Sequence, residues 1–294
     1  EFTVKGTLNA VGTAASPISL KAQSGNGTSI WYGLIFDLAT SASTNFVSVQ
    51  NAVYGINVVN GTVTLNGVTA FNNSYGVYFT KGSGTLTNAI LRNNSQYGAY
   101  VETLGNQTVN ILNSTVTANT STGVYAYAPS GSSLTLNVKN SIIVSNGGYG
   151  IYKTTGSTVT VNATYNDVWS NNNSNYGNLT AGTGSQSANP LLVSATNLRL
   201  TSNSPARFAS DTGTDIGALP YTVDPTPTLQ GVLWTNTQFT LAGSPYMVVG
   251  DLTVPPGVTL TIDPGVIVQM ASSDGMITGL DTSRIELGFE GGGV

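Results

Sequence analysis

Histidine and cysteine are both missing from this 294-residue chain, and only 7% of its residues carry a charge. Without histidine there is no Ser-His-Asp triad, no imidazole general base and no His-ligated metal. Without cysteine there are no disulfides, thiolate metal sites or thiol nucleophiles; the compartment stays open, because a long stack of repeats needs no covalent staples. Nine basic against thirteen acidic residues give a net charge of −4. No basic run occurs, so the counterion release that dominates nucleic-acid affinity has almost no source and no nucleic-acid partner is expected. No stretch has the length and apolarity of a membrane span. No G-x-S-x-G, phosphate loop or dinucleotide fingerprint is present, and neither a cofactor nor a metal site is expected. Solubility rests on abundant Ser, Thr, Asn and Gly, the surface of stacked strands on which like charges repeated every layer would repel one another.

What is there is a repeat. Asparagine, five residues, asparagine, then glycine recurs six times: Asn45/Asn51/Gly55, Asn66/Asn72/Gly76, Asn88/Asn94/Gly98, Asn113/Asn119/Gly123, Asn140/Asn146/Gly150 and Asn166/Asn172/Gly177. Successive units advance by 21 to 27 residues and carry short β-prone runs such as Val63 to Leu65 and Leu134 to Val138. A period in that range marks a solenoid whose strands stack coil on coil. An asparagine buried at a coil corner is costly alone, but the same amide one coil above can pair with it, so both asparagines of the phrase are expected to form ladders that set register.

These residues resemble the right-handed parallel β-helix superfamily, the pectin-lyase-like proteins, in which asparagine ladders occupy a tight turn between sheets. The resemblance covers about residues 1 to 220 and implies an all-β fold, a right-handed parallel β-helix solenoid with about 7 or more coils of 21–27 residues. It is specific for architecture and weak for activity, since that superfamily mixes polysaccharide lyases, hydrolases, esterases and many surface proteins. Asn189 to Leu200 and then Ser204 to Ala218 look like the closing coil of secreted bacterial β-helix proteins, departing from that pattern at Arg207-Phe208. Residues 221–228, with Pro225 and Pro227, read as a linker. Residues 229–294 form a β-rich terminal segment that resembles the opening coil of a further β-helix, as if the chain were a piece of a tandem array taken in shifted phase. An uncapped solenoid end exposes strand edges, so residues 229–270 are expected to cover such an end, by end-to-end or swapped self-association or within one chain.

Chemistry, if present, has to come from carboxylates. The weak acid candidates are Glu102, Asp167, Asp211 and Asp215; Asp37 is a further acid within the coils. Asp211 and Asp215 read as turn caps, and Glu102 as one half of an exposed ion pair with Lys81 or Lys153. The two aspartates and Arg-x-Lys expected of polygalacturonases are absent, so no catalytic residue is assigned. The alternative is a polysaccharide-active enzyme, a lyase, hydrolase or carbohydrate esterase. The more distinctive feature is a tyrosine file. Tyr78, Tyr100, Tyr125 and Tyr152 each lie two residues after the repeat glycine with small apolar flanks, and strand alternation sends them outward. A second file, Tyr54, Tyr75, Tyr97, Tyr149 and Tyr176, precedes the glycine and is expected at the core or its corner. The sequons at Asn26, Asn60, Asn106 and Asn162 are assigned no role. The expectation is a secreted or cell-surface β-helical binding or structural module, with a polysaccharide or cell-surface glycan as partner.

Overall fold

The computed structural model describes residues 1–155 and 158–271, which fall into two units: residues 1–186 with 209–219, and residues 187–208 with those from 220 onwards. In the first unit each coil gives one strand to each of three parallel sheets. The first sheet stacks eight strands: Phe2–Val4, Trp31–Asp37, Ala52–Asn60, Tyr75–Phe79, Ala99–Glu102, Val124–Tyr127, Tyr149–Lys153 and Ser174–Gly177. The third stacks seven, from Ile18–Lys21 to Asp167–Trp169, and the second runs from Thr7–Val11 to Thr158–Thr164 in blocks of two and five. Seven complete coils result. The paired column Leu34, Ile56, Val77, Ala99, Val124, Ile151 advances by 21 to 27 residues per coil. The first coil is longer, Phe2 meeting Leu34.

One apolar column fills the prism. Val49, Ala70, Leu91, Val116, Ile143 and Val168 stack from the third sheet, fully buried, against Leu65, Leu86, Ile111 and Val138 from the second. Volume is traded between neighbouring positions: a Cβ on Gly84 would sit 2.9 Å from Phe79 Cε1, so the bare backbone there makes room for the buried phenyl ring.

The corners carry the register, differently from the reading of two asparagine ladders per unit. At the corner after the third sheet a left-handed residue (Asn51, Asn72, Asn93, Ala118, Ser145, Ser170) is followed by an inward one: Ala52, Asn73, Asn94, Asn119, Asn146 and Asn171. Each inward asparagine Oδ1 accepts the backbone N–H of its counterpart one coil earlier, and from Asn94 onward also that counterpart's Nδ2. The spare Nδ2 hydrogen goes to a core carbonyl, Val49, Ala70, Leu91, Val116 or Ile143. From Asn94 to Asn171 each amide thereby accepts two hydrogen bonds and donates at least two within the buried interior. At the corner before the third sheet, Asn88, Asn113 and Asn140 are the left-handed residues themselves, a conformation asparagine tolerates, and one exposed rung joins the first asparagines of two units, Asn88 Nδ2 donating to Asn66 Oδ1 at 2.8 Å. The ladder there is carried by the next residue, Ser114, Ser141, Asn166 and Ser185, accepting the N–H of Ala89, Ser114, Ser141 and Asn166.

From the left-handed corner residue to the inward ladder position is always six residues: Phe46/Ala52, Gly67/Asn73, Asn88/Asn94, Asn113/Asn119, Asn140/Asn146 and Tyr165/Asn171. Three phrases of the sequence motif therefore lie in register and three are displaced by one residue.

Residues 209–219 return along the first unit, Gly217 N–H donating to Asn140 O at 2.9 Å and Ala218 N–H to Thr115 Oγ1 at 3.0 Å. The second unit also pairs in parallel: Leu229–Val232 with Tyr246–Thr253, the latter with Val268–Met270, and Thr237–Phe239 with Leu260–Ile262. The segment read as a linker is hydrogen-bonded within this unit. Ser202 N–H donates to Asp224 O at 2.8 Å, and Thr226 Oγ1 accepts from Asn203 N–H at 2.8 Å. Proline restricted the segment to extended backbone, but its neighbours still supply partners. Residues 272–294 of the expected terminal segment lie outside the described residues.

Candidate functional site

The tyrosines of the first sheet form one continuous patch. Tyr78, Tyr100, Tyr125 and Tyr152 occupy the same register position on successive strands, with ring centroids 5.1, 4.9 and 5.1 Å apart. Tyr54, Tyr75, Tyr97 and Tyr149, expected at the core or its corner, lie on the same outer face and touch the first file, Tyr97 to Tyr100 at 5.0 Å and Tyr149 to Tyr152 at 5.0 Å. Tyr32 adds an edge contact to Tyr54, so nine rings are joined.

The reason lies in the glycine between the files. In Tyr75-Gly76-Val77-Tyr78 both Gly76 and Val77 are buried, so two consecutive residues face in and the tyrosines on either side both face out. The glycine is required because the asparagine ladder passes there: a Cβ on Gly98 would lie 2.8 Å from Asn119 Nδ2 and 2.5 Å from Val116 Cγ1. A strict period of two misassigns the second file at this bend. Only Tyr176 of that file turns inward, paired in register with Ile151 and packed on the core; burial pushes its phenol up to about 12.

One carboxylate borders the rings. Glu102 shares the outward parity of Tyr100 and accepts a hydrogen bond from the Tyr78 hydroxyl. It pairs with neither Lys81 nor Lys153: the ion pairs among the described residues are Lys5 with Asp37 and Lys139 with Asp211, and Lys153 Nζ donates to Val159 O at 3.3 Å. A phenol at hydrogen-bonding distance offers Glu102 a directional partner without two long side chains having to be ordered. Burial first, then Glu102, raises the Tyr78 and Tyr100 phenols well above the ordinary range; Tyr54, Tyr75 and Tyr125 are also raised, chiefly by burial. These five phenols are therefore held as neutral hydroxyls, a group that can both donate and accept.

The remaining acids stand elsewhere. Asp167 is buried in the third sheet, accepting from Gln186 Nε2 at 3.3 Å. Asp211 ties the returning segment to its coil, held by Lys139 and by Asn140 Nδ2 at 2.8 Å, which lower its carboxyl below the usual range. Asp215 follows in the same segment, partly buried. Asp37 is likewise lowered, by Asn60 and then Lys5. Among the described residues no three of His, Cys, Asp and Glu gather closely enough to hold a metal ion.

A family model described as right handed beta helix region matches residues 32–191, more than half of the chain. The chain belongs to that family. The matched span takes in all of the paired tyrosines of the β-helix from Tyr32 to Tyr152 and the whole inner asparagine ladder. No curated protein and no solved structure gives a significant match to the β-helix. No helix among the described residues is long and apolar enough to cross a membrane.

Proposed function

We propose that this β-helix is an extracellular module, secreted or displayed at a cell surface, that binds a carbohydrate polymer along its tyrosine face. The observation that carries this reading is the patch of nine joined tyrosines along one parallel sheet, all but Tyr32 half-buried. Phenol rings stack on the C–H faces of sugars while their hydroxyls meet sugar hydroxyls, with two side-chain torsions each to order. Rings repeating at the coil spacing suit a repeating ligand. Glu102 stands on the first sheet, whereas Asp167 lies in the third sheet and Asp211 in the returning segment bonded to Asn140; the rings are thus bordered by one carboxylate, which favours binding over carboxylate hydrolysis, where two carboxyls about 5–9.5 Å apart share one groove.

Glycan arrays and polysaccharide pull-down test it, with wild type beside Tyr100→Ala and Tyr125→Ala. Retention of the wild type and a loss of about tenfold or more in either variant is the expected result. Retention unaltered by both substitutions overturns the reading.

Self-association through residues 229–270 is a separate proposal. It is supported by the exposure of Met247, Ile262, Ile267 and Met270, from 47% to 71%, in the second unit. Sedimentation over a hundredfold concentration range tests it: a mass that rises and is restored to the monomer by Ile267→Lys supports it, and a constant monomer mass removes it.

A further inference from the structure

Resting on the glycan-binding reading, we propose that the ligand of the tyrosine face is an uncharged polysaccharide, and that Glu102 is the specificity-determining residue that turns acidic polymers away. The outward positions of the central strands carry Tyr75, Tyr78, Tyr100, Glu102, Tyr125 and Tyr127, the last in register with Glu102, and Tyr97 just precedes its strand. Glu102 is held in place by the Tyr78 hydroxyl and takes part in no ion pair. Its charge is thus fixed beside the rings and not cancelled. It acts on the phenols of Tyr54, Tyr75, Tyr78 and Tyr100, so its field spans several coils of the patch.

Recognition of uronates or sulfates calls for cations, above all the bidentate guanidinium of arginine. Arg92 is the one arginine of the first unit, and it lies on the third sheet, with its guanidinium 4.9 Å from the Phe71 ring centre. Lys153 is turned to the Val159 carbonyl, and Lys81 follows its strand in an exposed turn. A polyuronate laid along the rings would set successive carboxylates within a Debye length of Glu102, about 8 Å at physiological salt. Neither lysine forms an ion pair with Glu102 to cancel that repulsion. A neutral polymer stacks and hydrogen-bonds with no charge to desolvate.

Two matched pairs isolate charge from shape: hydroxyethyl cellulose against carboxymethyl cellulose, and highly methyl-esterified pectin against polygalacturonate. Affinity electrophoresis of the whole chain through each polymer is expected to show retardation by the neutral member on the order of fivefold stronger at low salt. Glu102→Gln, which keeps an acceptor for Tyr78, should narrow the gap to about twofold or less, as should about 0.5 M salt. Equal or stronger binding of the acidic members by wild type overturns the charge filter and leaves glycan binding standing. A gap unmoved by Glu102→Gln overturns the role of that residue. Absence of retardation in every gel, with the chain folded by circular dichroism, overturns both.

Discussion

Tyr100 and Tyr125, from adjacent coils, stack with ring centroids 4.9 Å apart and planes 6° from parallel. Their strands pair in parallel with Tyr100 opposite Tyr125, so the contact reports both sheet register and the integrity of the outer face. A double-mutant cycle with Tyr100→Ala and Tyr125→Ala, read by chemical denaturation, should give a coupling of about 0.5–1.5 kcal/mol. A coupling near zero would mean that the rings do not contact in solution.

The inner ladder should be far more sensitive. Asn119→Ala leaves the buried Asn94 Nδ2 and backbone N–H without their acceptor and the Leu91 carbonyl without its Asn119 donor. At about 1–3 kcal/mol per orphaned buried group the loss should reach at least about 3 kcal/mol. The exposed Asn162 donates to Asn137 on the outside of the second sheet, and Asn162→Ala should cost under about 1 kcal/mol. Similar midpoints for the two variants would contradict the burial difference.

Glycine sites separate in the same way. A Cβ at Gly98 meets Val116, the Gly123 carbonyl and Asn119, all within 2.8 Å, whereas one at Gly6 meets nothing within 4 Å. Gly98→Ala should destabilise by about 3 kcal/mol or more and Gly6→Ala by less than about 0.5 kcal/mol. Thermal melts of the two variants side by side check this.

Alkaline pH acts through the phenols. Unfolded tyrosines ionise near pH 10, while Tyr54, Tyr75, Tyr78, Tyr100 and Tyr125 are raised in the fold and Tyr176 is pushed up to about 12. Above pH ~10 the unfolded chain holds fewer protons than the folded one, so this stabilisation is complete below that pH and is lost as pH rises past it. Denaturation midpoints should be level from about pH 7 to 9 and fall between about pH 10 and 12. A midpoint that holds steady to pH ~12 would contradict the raised phenols.

The solenoid was legible because its period shows in residue type: asparagine tolerates both the left-handed corner and the buried ladder, so Asn88/Asn94, Asn113/Asn119 and Asn140/Asn146 mark both corners at once. Elsewhere glycine, phenylalanine or tyrosine takes the left-handed place, at Gly67, Phe46 and Tyr165, and a neighbouring asparagine then mimics the phrase one residue out of step. The outward file from Tyr78 to Tyr152 followed from strand alternation. Tyr75 and Tyr97 did not, because alternation fails where the glycine gives the backbone no inward side chain. Glu102 had the parity of Tyr100 in plain view, but its partner, Tyr78, becomes visible only once adjacent coils are set side by side.

The constant six-residue step between corner and ladder has a consequence for how such a chain can change length. The turns from the first sheet to the second are not held to it, running from the single residue Gly61 to residues 128–132. One edge of the prism thus acts as a gauge and another as slack. A peptide spliced in between the exposed Ser130 and Gly131 would lengthen its coil while leaving the asparagine rungs in place, and a duplicated whole coil would extend the tyrosine face by one step in the same alignment.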